Sequence, residues 1–344
     1  MNFKITDFEE KIYIIILNYN SAMDTVECLR SLKKIDLFDY SQIILVDNKS
    51  TDSSEKVIDD FLRAEFSNYV KINKKQKEYI DVQGKDDGSN IVFIKSDENK
   101  GFSAGNNIAL SYINKKRDGN YFWFLNNDTI QDKYALLEMI GFMNKESLVL
   151  TSSVLYDYII PNRIQAIGIR LNRPIYTMPI VGRTEILTEE NNFNNDKISK
   201  LISYDDIRQL YPDIYALPGA SFMMNKEGLE LIGGKLDESY QFYFEEAEIA
   251  RKIKGQARYA PCLSSVVWHK GGGSAVSKGN YFTSYHTVRS RMIFIKRYEL
   301  IDLPLAISFI FVKIMYLIII GKLTEALGML QGLFAGIIYN SQAK

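Results

Sequence analysis

The stretch IYIIILNYNSAMDTVECLRSLKKIDLFDYSQIILVDNKSTD, residues 12–52, decides the fold. Ile12–Leu17 is an apolar run without alternation, the pattern of a strand covered on both faces in a parallel sheet. Asn18-Tyr19-Asn20 ends it. Asp24 and Glu27 form a D-x-x-E pattern that predicts the cap of a helix with Val26, Leu29 and Leu32 inward. Gln42–Val46 is the next buried strand, ending in Asp47-Asn48-Lys49-Ser50-Thr51-Asp52. Asp52 and Glu55 repeat the capping pattern for a helix with Val57, Ile58, Phe61 and Leu62 inward. Each strand thus ends in residues able to hold a nucleotide.

Outward from this unit the alternation continues. Ile91–Lys95 is a third strand, leading into Asn99-Lys100-Gly101-Phe102-Ser103-Ala104-Gly105-Asn106-Asn107 and then a helix carrying Ile108, Ala109, Tyr112 and Ile113. Tyr121–Leu125 is a fourth, ending in Asn126-Asn127-Asp128-Thr129, before a helix over about 132–143. This alternation predicts a mostly parallel α/β sheet, whose ligands bind beyond the carboxyl ends of the strands. Leu148–Tyr156, Ile164–Leu171, Phe222–Met224 and Ser264–Trp268 read as further strands. Residues 67–90 are polar and read as a surface excursion with a solvated basic cluster. Residues 185–213 read as a long loop with a short helix.

The 344 residues are 46% hydrophobic, enough for a large core, and 42 basic side chains balance 42 acidic ones. That balance argues against nucleic acid as the main partner, since such proteins usually carry a basic excess. Two cysteines, Cys28 and Cys262, make no disulfide framework and fit a reducing compartment. The first residues have no long apolar segment and do not read as a signal peptide, so a cytoplasmic enzyme is expected.

Four positions offer chemistry. Asp47 can accept hydrogen bonds from a ribose or base, or cap its own turn. Asp128, beside amides at a strand end, suits a hard divalent cation also held by phosphate, or again a turn. His269 could complete the coordination of such an ion or be structural. Glu245, Glu246 and Glu248 open a helix, where acidic residues suit the macrodipole; beside Phe242, Tyr243 and Phe244, one could be a shielded general base.

In order along the chain, N-Y-N (18–20), V-D-N-K-S-T-D (46–52), G-F-S-A-G-N-N (101–107), L-N-N-D-T (125–129), P-G-A-S-F-M-M (218–224), G-G-K-L-D-E (233–238), Y-F-E-E-A-E (243–248) and H-K-G-G-G-S (269–274) resemble the family 2 glycosyltransferases of GT-A fold. The resemblance is closest to the bacterial rhamnosyltransferase-like branch and runs from Ile12 to about Arg297. It implies a Rossmann-like, mostly parallel sheet flanked by helices, with a catalytic domain over 1–275 and a C-terminal helical appendage over 276–344. Within the domain, a nucleotide half of about 10–130 precedes an acceptor half of about 131–275.

The resemblance also implies an inverting transfer from a UDP- or dTDP-linked sugar to a saccharide or polyprenyl-diphosphate-linked acceptor, in cell-surface polysaccharide synthesis. Asn18, Tyr19, Asn20, Asp47, Asn48, Ser50, Lys100, Gly101, Asn106, Asn126 and Asn127 would surround the nucleotide. Asp128 and His269 would hold Mn²⁺ or Mg²⁺. Glu246, or Glu245 if the register slips by one, would be the catalytic base. Two departures stand out. Asn126 replaces the first Asp of the strict metal motif. Glu246 replaces the usual Asp, a side chain about 1.5 Å longer. They motivate an alternative, a catalytically impaired sugar-nucleotide-binding partner of another transferase. A sugar-1-phosphate nucleotidyltransferase would need a glycine-rich loop after the first strand, and Asn18–Asn20 contains no glycine.

Leu303–Gly321 nearly reaches the 20 or so apolar residues a spanning helix needs, but Lys313 sits at its middle. Helices here and over 324–339 are expected to lie at the membrane interface, on the inner face of the cell membrane, or to form a homodimer contact. Arg289, Arg291, Lys296 and Arg297 would face anionic head groups or an acceptor diphosphate.

Overall fold

The computed structural model describes residues 10–66, 68–75, 78–83, 90–114, 119–183, 203–271 and 279–340. Its strands are β1 (Ile12–Asn18), β2 (Ser41–Asp47), β3 (Tyr69–Lys75), β4 (Glu78–Gln83), β5 (Ile91–Ser96), β6 (Tyr121–Asn126), β7 (Thr129–Gln131), β8 (Leu148–Asp157), β9 (Ile164–Ala166), β10 (Gly168–Ile169), β11 (Ile180–Val181), β12 (Ser221–Asn225) and β13 (Arg258–His269). Its α-helices are α1 (Ala22–Leu32), α2 (Ser54–Glu65), α3 (Phe102–Ile113), α4 (Ala135–Glu146), α5 (Tyr204–Leu210), α6 (Lys226–Leu231), α7 (Glu245–Ile253), α8 (Gly279–Tyr298), α9 (Leu303–Ile319) and α10 (Leu323–Ile338).

Eleven strands form one sheet in the order β4-β3-β5-β2-β1-β6-β12-β8-β13-β7, with β9 paired to β8. From β3 through β5, β2 and β1 to β6 every pair is parallel; β12 enters antiparallel beyond it. The unalternated runs are the reason. Ile12–Ile16, Ile43–Val46 and Ile91–Ile94 are fully buried, which only a sheet covered on both faces allows. The register sets Asn18 opposite Asp47 and Leu17 opposite Asn126, so three strand ends share one edge.

Local details depart from the sequence pattern. Neither D-x-x-E pair caps a helix. Ser21 and Ser53 hold the cap positions of α1 and α2. Asp24 and Glu27 instead bind Lys270 at 2.6 and 2.5 Å, while Glu55 binds Lys95 and Lys71. Asp52 accepts from the Ser54 amide at 2.9 Å, whereas distant lysines claim Asp24, Glu27 and Glu55. α3 starts at Phe102, so Asn106 and Asn107 belong to the helix and not to the loop before it. The polar excursion contains β3, whose Val70 and Ile72 are buried on alternate positions and extend the sheet. β4 pairs antiparallel with β3 at the sheet edge, whereas residues 67, 76–77 and 84–89 of the excursion, and residues 184–202 of the predicted long loop, lie outside the described residues, as do Gly272–Ser274. Cys28 and Cys262 are free and buried, which pushes both thiols up to about 12 and leaves them inert.

The C-terminal helices build a second core around Val288, Met292, Phe294, Ile310 and Leu333, continuous with Tyr240, Phe244 and Ala247. Gly328, Gly332 and Gly336 recur every fourth residue on α10. A Cβ at each would lie 2.6, 2.3 or 2.5 Å from Tyr281 O, Tyr285 O or Met292 Cβ of α8, so the two backbones pack in near contact. The basic side chains expected to face outward turn inward. Arg289 donates to Ser239 O, Lys296 to the carbonyls of Ile337 and Tyr339, and Arg297 to Asp237 and Glu248. Arg291 is 8% exposed. A helix packed on the catalytic domain finds carbonyls and carboxylates before it finds solvent.

Candidate active site

The common strand edge opens into a cleft of about 520 Å³. Its first wall is a closed hydrogen-bonded network. Asn18 Nδ2 donates to Asp47 Oδ1 at 2.7 Å and to Ser50 Oγ at 3.1 Å. Ser50 donates to Asp47 through its hydroxyl at 2.5 Å and its amide at 3.0 Å. Thr25 Oγ1 donates to Asn18 Oδ1 and accepts from Asn127 Nδ2, both at 2.9 Å. Asp47 is 1% exposed and its carboxylate lies behind the wall. Asn18, Ser50 and Asn106 lie behind it too, Asn106 Nδ2 bonding Phe102 O within α3. Asn20 pairs with Thr51 at the outer turn, and Lys100 pairs with Glu98 outside the main cleft.

The residues on the wall are Tyr19, Asn48, Gly101, Asn126 and Asn127. Asn48 Nδ2 donates to Asn99 Oδ1 and Gly101 O, whereas its buried Oδ1 has no hydrogen-bond donor among the described residues. A buried acceptor in that state costs about 1–3 kcal/mol, which a ligand N–H or O–H would recover. Gly101 has φ +94°, and a Cβ there would lie 2.5 Å from Gln241 O, so only glycine lets α3 begin so close to the opposite wall.

At the floor, Asp128 and His269 meet. β13 pairs with β7, setting His269 opposite Thr129, and this brings Nε2 to 3.3 Å from Asp128 Oδ1. Although burial acts against it, the bond and charge of His269 hold the Asp128 carboxyl below its ordinary value, so it stays ionised. One carboxylate and one imidazole suit a divalent transition ion. No third His, Cys, Asp or Glu joins them among the described residues, so further coordination would fall to phosphate and water.

The opposite wall carries Glu245 and Glu246 at the start of α7. Tyr243 and Phe244 before them take left-handed backbone angles, φ 65° and 71°, a strain of order 1–3 kcal/mol each that turns the chain sharply into the helix. Both carboxyls keep a partial opening to the cleft but are packed round by protein. Burial raises the proton affinity of each, and for Glu245 the charge of Glu246 raises it further. Glu245 Oε2 has no hydrogen-bond partner among the described residues. The seat of Glu246 is Gly219, where a Cβ would lie 2.4 Å from Glu246 Oε1.

This wall is held from behind by α8. Glu248, 2% exposed, accepts from Tyr298 at 2.6 Å and from Arg297 and Tyr240 at 3.1 Å. Ser290 Oγ bonds Phe242 O at 2.9 Å, and Phe282 of α8 lines the cleft. The supposed appendage is therefore part of the site. Sequence reading missed Gly219, Phe282, Gln165 and Arg183, all on the cleft surface. Gly219 lies in the P-G-A-S-F-M-M motif, but its need for a bare backbone arises from a side chain 27 positions away. Arg183 carried no local signal; it makes no ion pair among the described residues.

A family model described as "Glycosyl transferase family 2" matches residues 13–233, and the chain belongs to that family. A Staphylococcus epidermidis protein described as a teichoic acid poly(glycerol phosphate) polymerase is 30% identical over 140 residues, covering 40% of this chain and 16% of that protein. The chain thus spans about a sixth of that curated relative. A mannosyltransferase of Pyrobaculum calidifontis, solved with GDP-Man and Mn²⁺, has a TM-score of 0.54 at 11% identity, over 96% of this chain and 88% of its own. GalNAc-T7, solved with UDP, GalNAc and Mn²⁺, has a TM-score of 0.55 at 14% identity, over 83% and 48%. At such identities what is shared is the fold, which is of GT-A type.

Proposed function

We propose that this chain is an inverting glycosyltransferase that moves a sugar from a UDP- or dTDP-linked donor, rhamnose among the candidates, to a saccharide or polyprenyl-diphosphate-linked acceptor of a cell-surface polysaccharide. The observation that carries this reading is the pairing, across one cleft, of an ionised Asp128 beside His269 with two carboxyls of raised proton affinity. The teichoic acid relative supports the placement in cell-wall synthesis.

Asp128 and His269 would hold Mn²⁺ or Mg²⁺, which when bound offsets the charge growing on a departing diphosphate. Asn48 Oδ1 offers the buried acceptor for a base N–H, and Tyr19, Asn126 and Asn127 complete that wall. Asp47, Asn18, Ser50 and Asn106 act by fixing it. Glu246 is the base. With Glu246 ionised, its charge keeps Glu245 protonated, so one of the pair accepts a proton and the other does not. The acceptor oxygen bonds to the anomeric carbon from the face opposite the diphosphate, the carbon–oxygen bond to the diphosphate breaks, and the hydroxyl proton passes to Glu246. Arg183 places a positive charge at the cleft for phosphate oxygens.

The domain division at about residue 275 is retained only for the sequence of elements, since α8 supports the acceptor side. α9 leaves Val312 69% and Ile319 79% exposed, and the 20 residues Leu300–Ile319 are apolar enough to cross a membrane. This face is read as resting in the membrane interface on the cytoplasmic side. A homodimer contact is the other outcome of a partitioning assay: salt-resistant, detergent-sensitive binding to vesicles supports the membrane.

The deciding experiment incubates the protein with Mn²⁺ or Mg²⁺, a panel of UDP-, dTDP- and GDP-sugars, and saccharide or lipid-linked acceptors. Nucleoside diphosphate release is expected with one pair, with a rate that climbs as pH rises through the raised pKa of Glu246. No release with any pair, from protein shown to be folded, would leave the catalytically impaired binding partner.

A further inference from the structure

Gln165 lies on β9, held to β8 by the pairing of Ala166 with Leu155, and its side chain reaches the floor of the cleft. Its Nε2 donates to the backbone oxygen of His269 at 3.3 Å. That bond orients the amide, so it is Oε1 that faces His269 Nδ1, at 2.5 Å. An amide oxygen only accepts, so Nδ1 must carry a proton. A neutral imidazole protonated there has a bare Nε2, and this Nε2 points at Asp128 Oδ1 from 3.3 Å. A protonated Nε2 donates to Asp128, the bond that holds its carboxyl down; with the imidazole neutral, the two lone-pair atoms repel each other unless a cation lies between them. The chain makes room for the arrangement: Gly271 has φ +75°, and a Cβ there would lie 3.0 Å from Gln165 Nε2.

We propose that Gln165 is a positioning residue that fixes His269 as its Nδ1–H tautomer and so keeps the Nε2 lone pair aimed, with Asp128, at a divalent cation. The inference rests on the reading of Asp128 and His269 as that cation's ligands. Outer partners of this kind typically carry 10- to 100-fold in metal affinity.

The test uses the full chain labelled with ¹⁵N-histidine. There are two histidines, so His286 serves as an internal control. At about pH 9, where imidazole is neutral, long-range ¹H–¹⁵N spectra should give His269 a pyrrole-type Nδ1 and a pyridine-type Nε2. In Gln165→Leu this preference should be lost, with His286 unchanged, and Mn²⁺ affinity by electron paramagnetic resonance should fall about 10- to 100-fold. Gln165→Glu still accepts the Nδ1 proton and should keep both the tautomer and the affinity. A protonated Nε2 in the wild type, or a Gln165→Leu variant with wild-type tautomer and affinity, overturns the proposal. If the wild type binds no Mn²⁺ and Asp128→Asn changes nothing, the cation reading is what fails. The spectra then decide the tautomer role separately.

Discussion

The two walls of the cleft are built on opposite principles. On the strand-end wall, Asn18, Thr25, Asp47, Ser50 and Asn127 satisfy one another, and Asn48 Oδ1 is a buried acceptor with no donor among the described residues. On the α7 wall, two carboxyls share a buried site, one oxygen has no partner, and two aromatic residues are held in left-handed conformations. The first wall is stable without a ligand. The second is costly to fold and is kept in place by α8. A binding surface gains from being finished in advance, whereas a base must keep an affinity for protons that its surroundings would otherwise remove.

The sharpest way to break this comparison is Glu246→Gln. Turnover should fall by about 10²–10⁴-fold, the usual worth of a general base. The same variant should be more stable at pH 7. A carboxyl with a raised folded pKa contributes most below its ordinary value of 4.5 and loses that contribution as pH rises through the raised one. Removing the charge removes the loss, and the melting temperature should rise by about 2 °C; a drop in both activity and stability would contradict the contrast.

Next in size is Arg297→Ala. It leaves Glu248 buried beside Tyr240 and Tyr298 without its main cation and should cost about 3 kcal/mol in denaturant unfolding. Loss of turnover should accompany it, because α8 and α7 separate. Gly219→Ala tests position alone. The added Cβ displaces the Glu246 carboxylate, and a shift of about 1 Å can cost on the order of 10² in rate. Steady-state kinetics should show kcat falling with little change in donor KM. The smallest effect is expected from Thr25→Val, which opens the strand-end network for about 1 kcal/mol. It should raise donor KM and leave kcat nearly unchanged, the reverse of Gly219→Ala.

How much of this was legible in the chain depends on range. Ile12–Leu17 and Ile43–Val46 announce buried parallel strands, and parallel strands align their carboxyl ends, so Asn18, Asp47 and Asp128 could be placed at one edge from sequence. Which side of the wall a residue faces could not. Asp47 turns behind it and Asn48 onto it because Ser50 and Asn18 claim the carboxylate, and such claims depend on turn dihedrals that composition does not encode. The D-x-x-E pairs misled for a related reason, since Lys270 and Lys95 are distant in sequence and adjacent in space.

By itself the sequence determined the alternating α/β order, the buried strands, the common edge and the set of side chains delivered to it, because local periodicity and strand-end chemistry act over a few residues. Only the tertiary structure decided that Gln165 orients His269, that Gly219 seats Glu246, and that α8 is a wall of the site. Each of those rests on a close approach between residues from 27 to 104 positions apart. Distances of a few ångströms between such residues are set by how the sheet and helices pack, which no window of the chain contains.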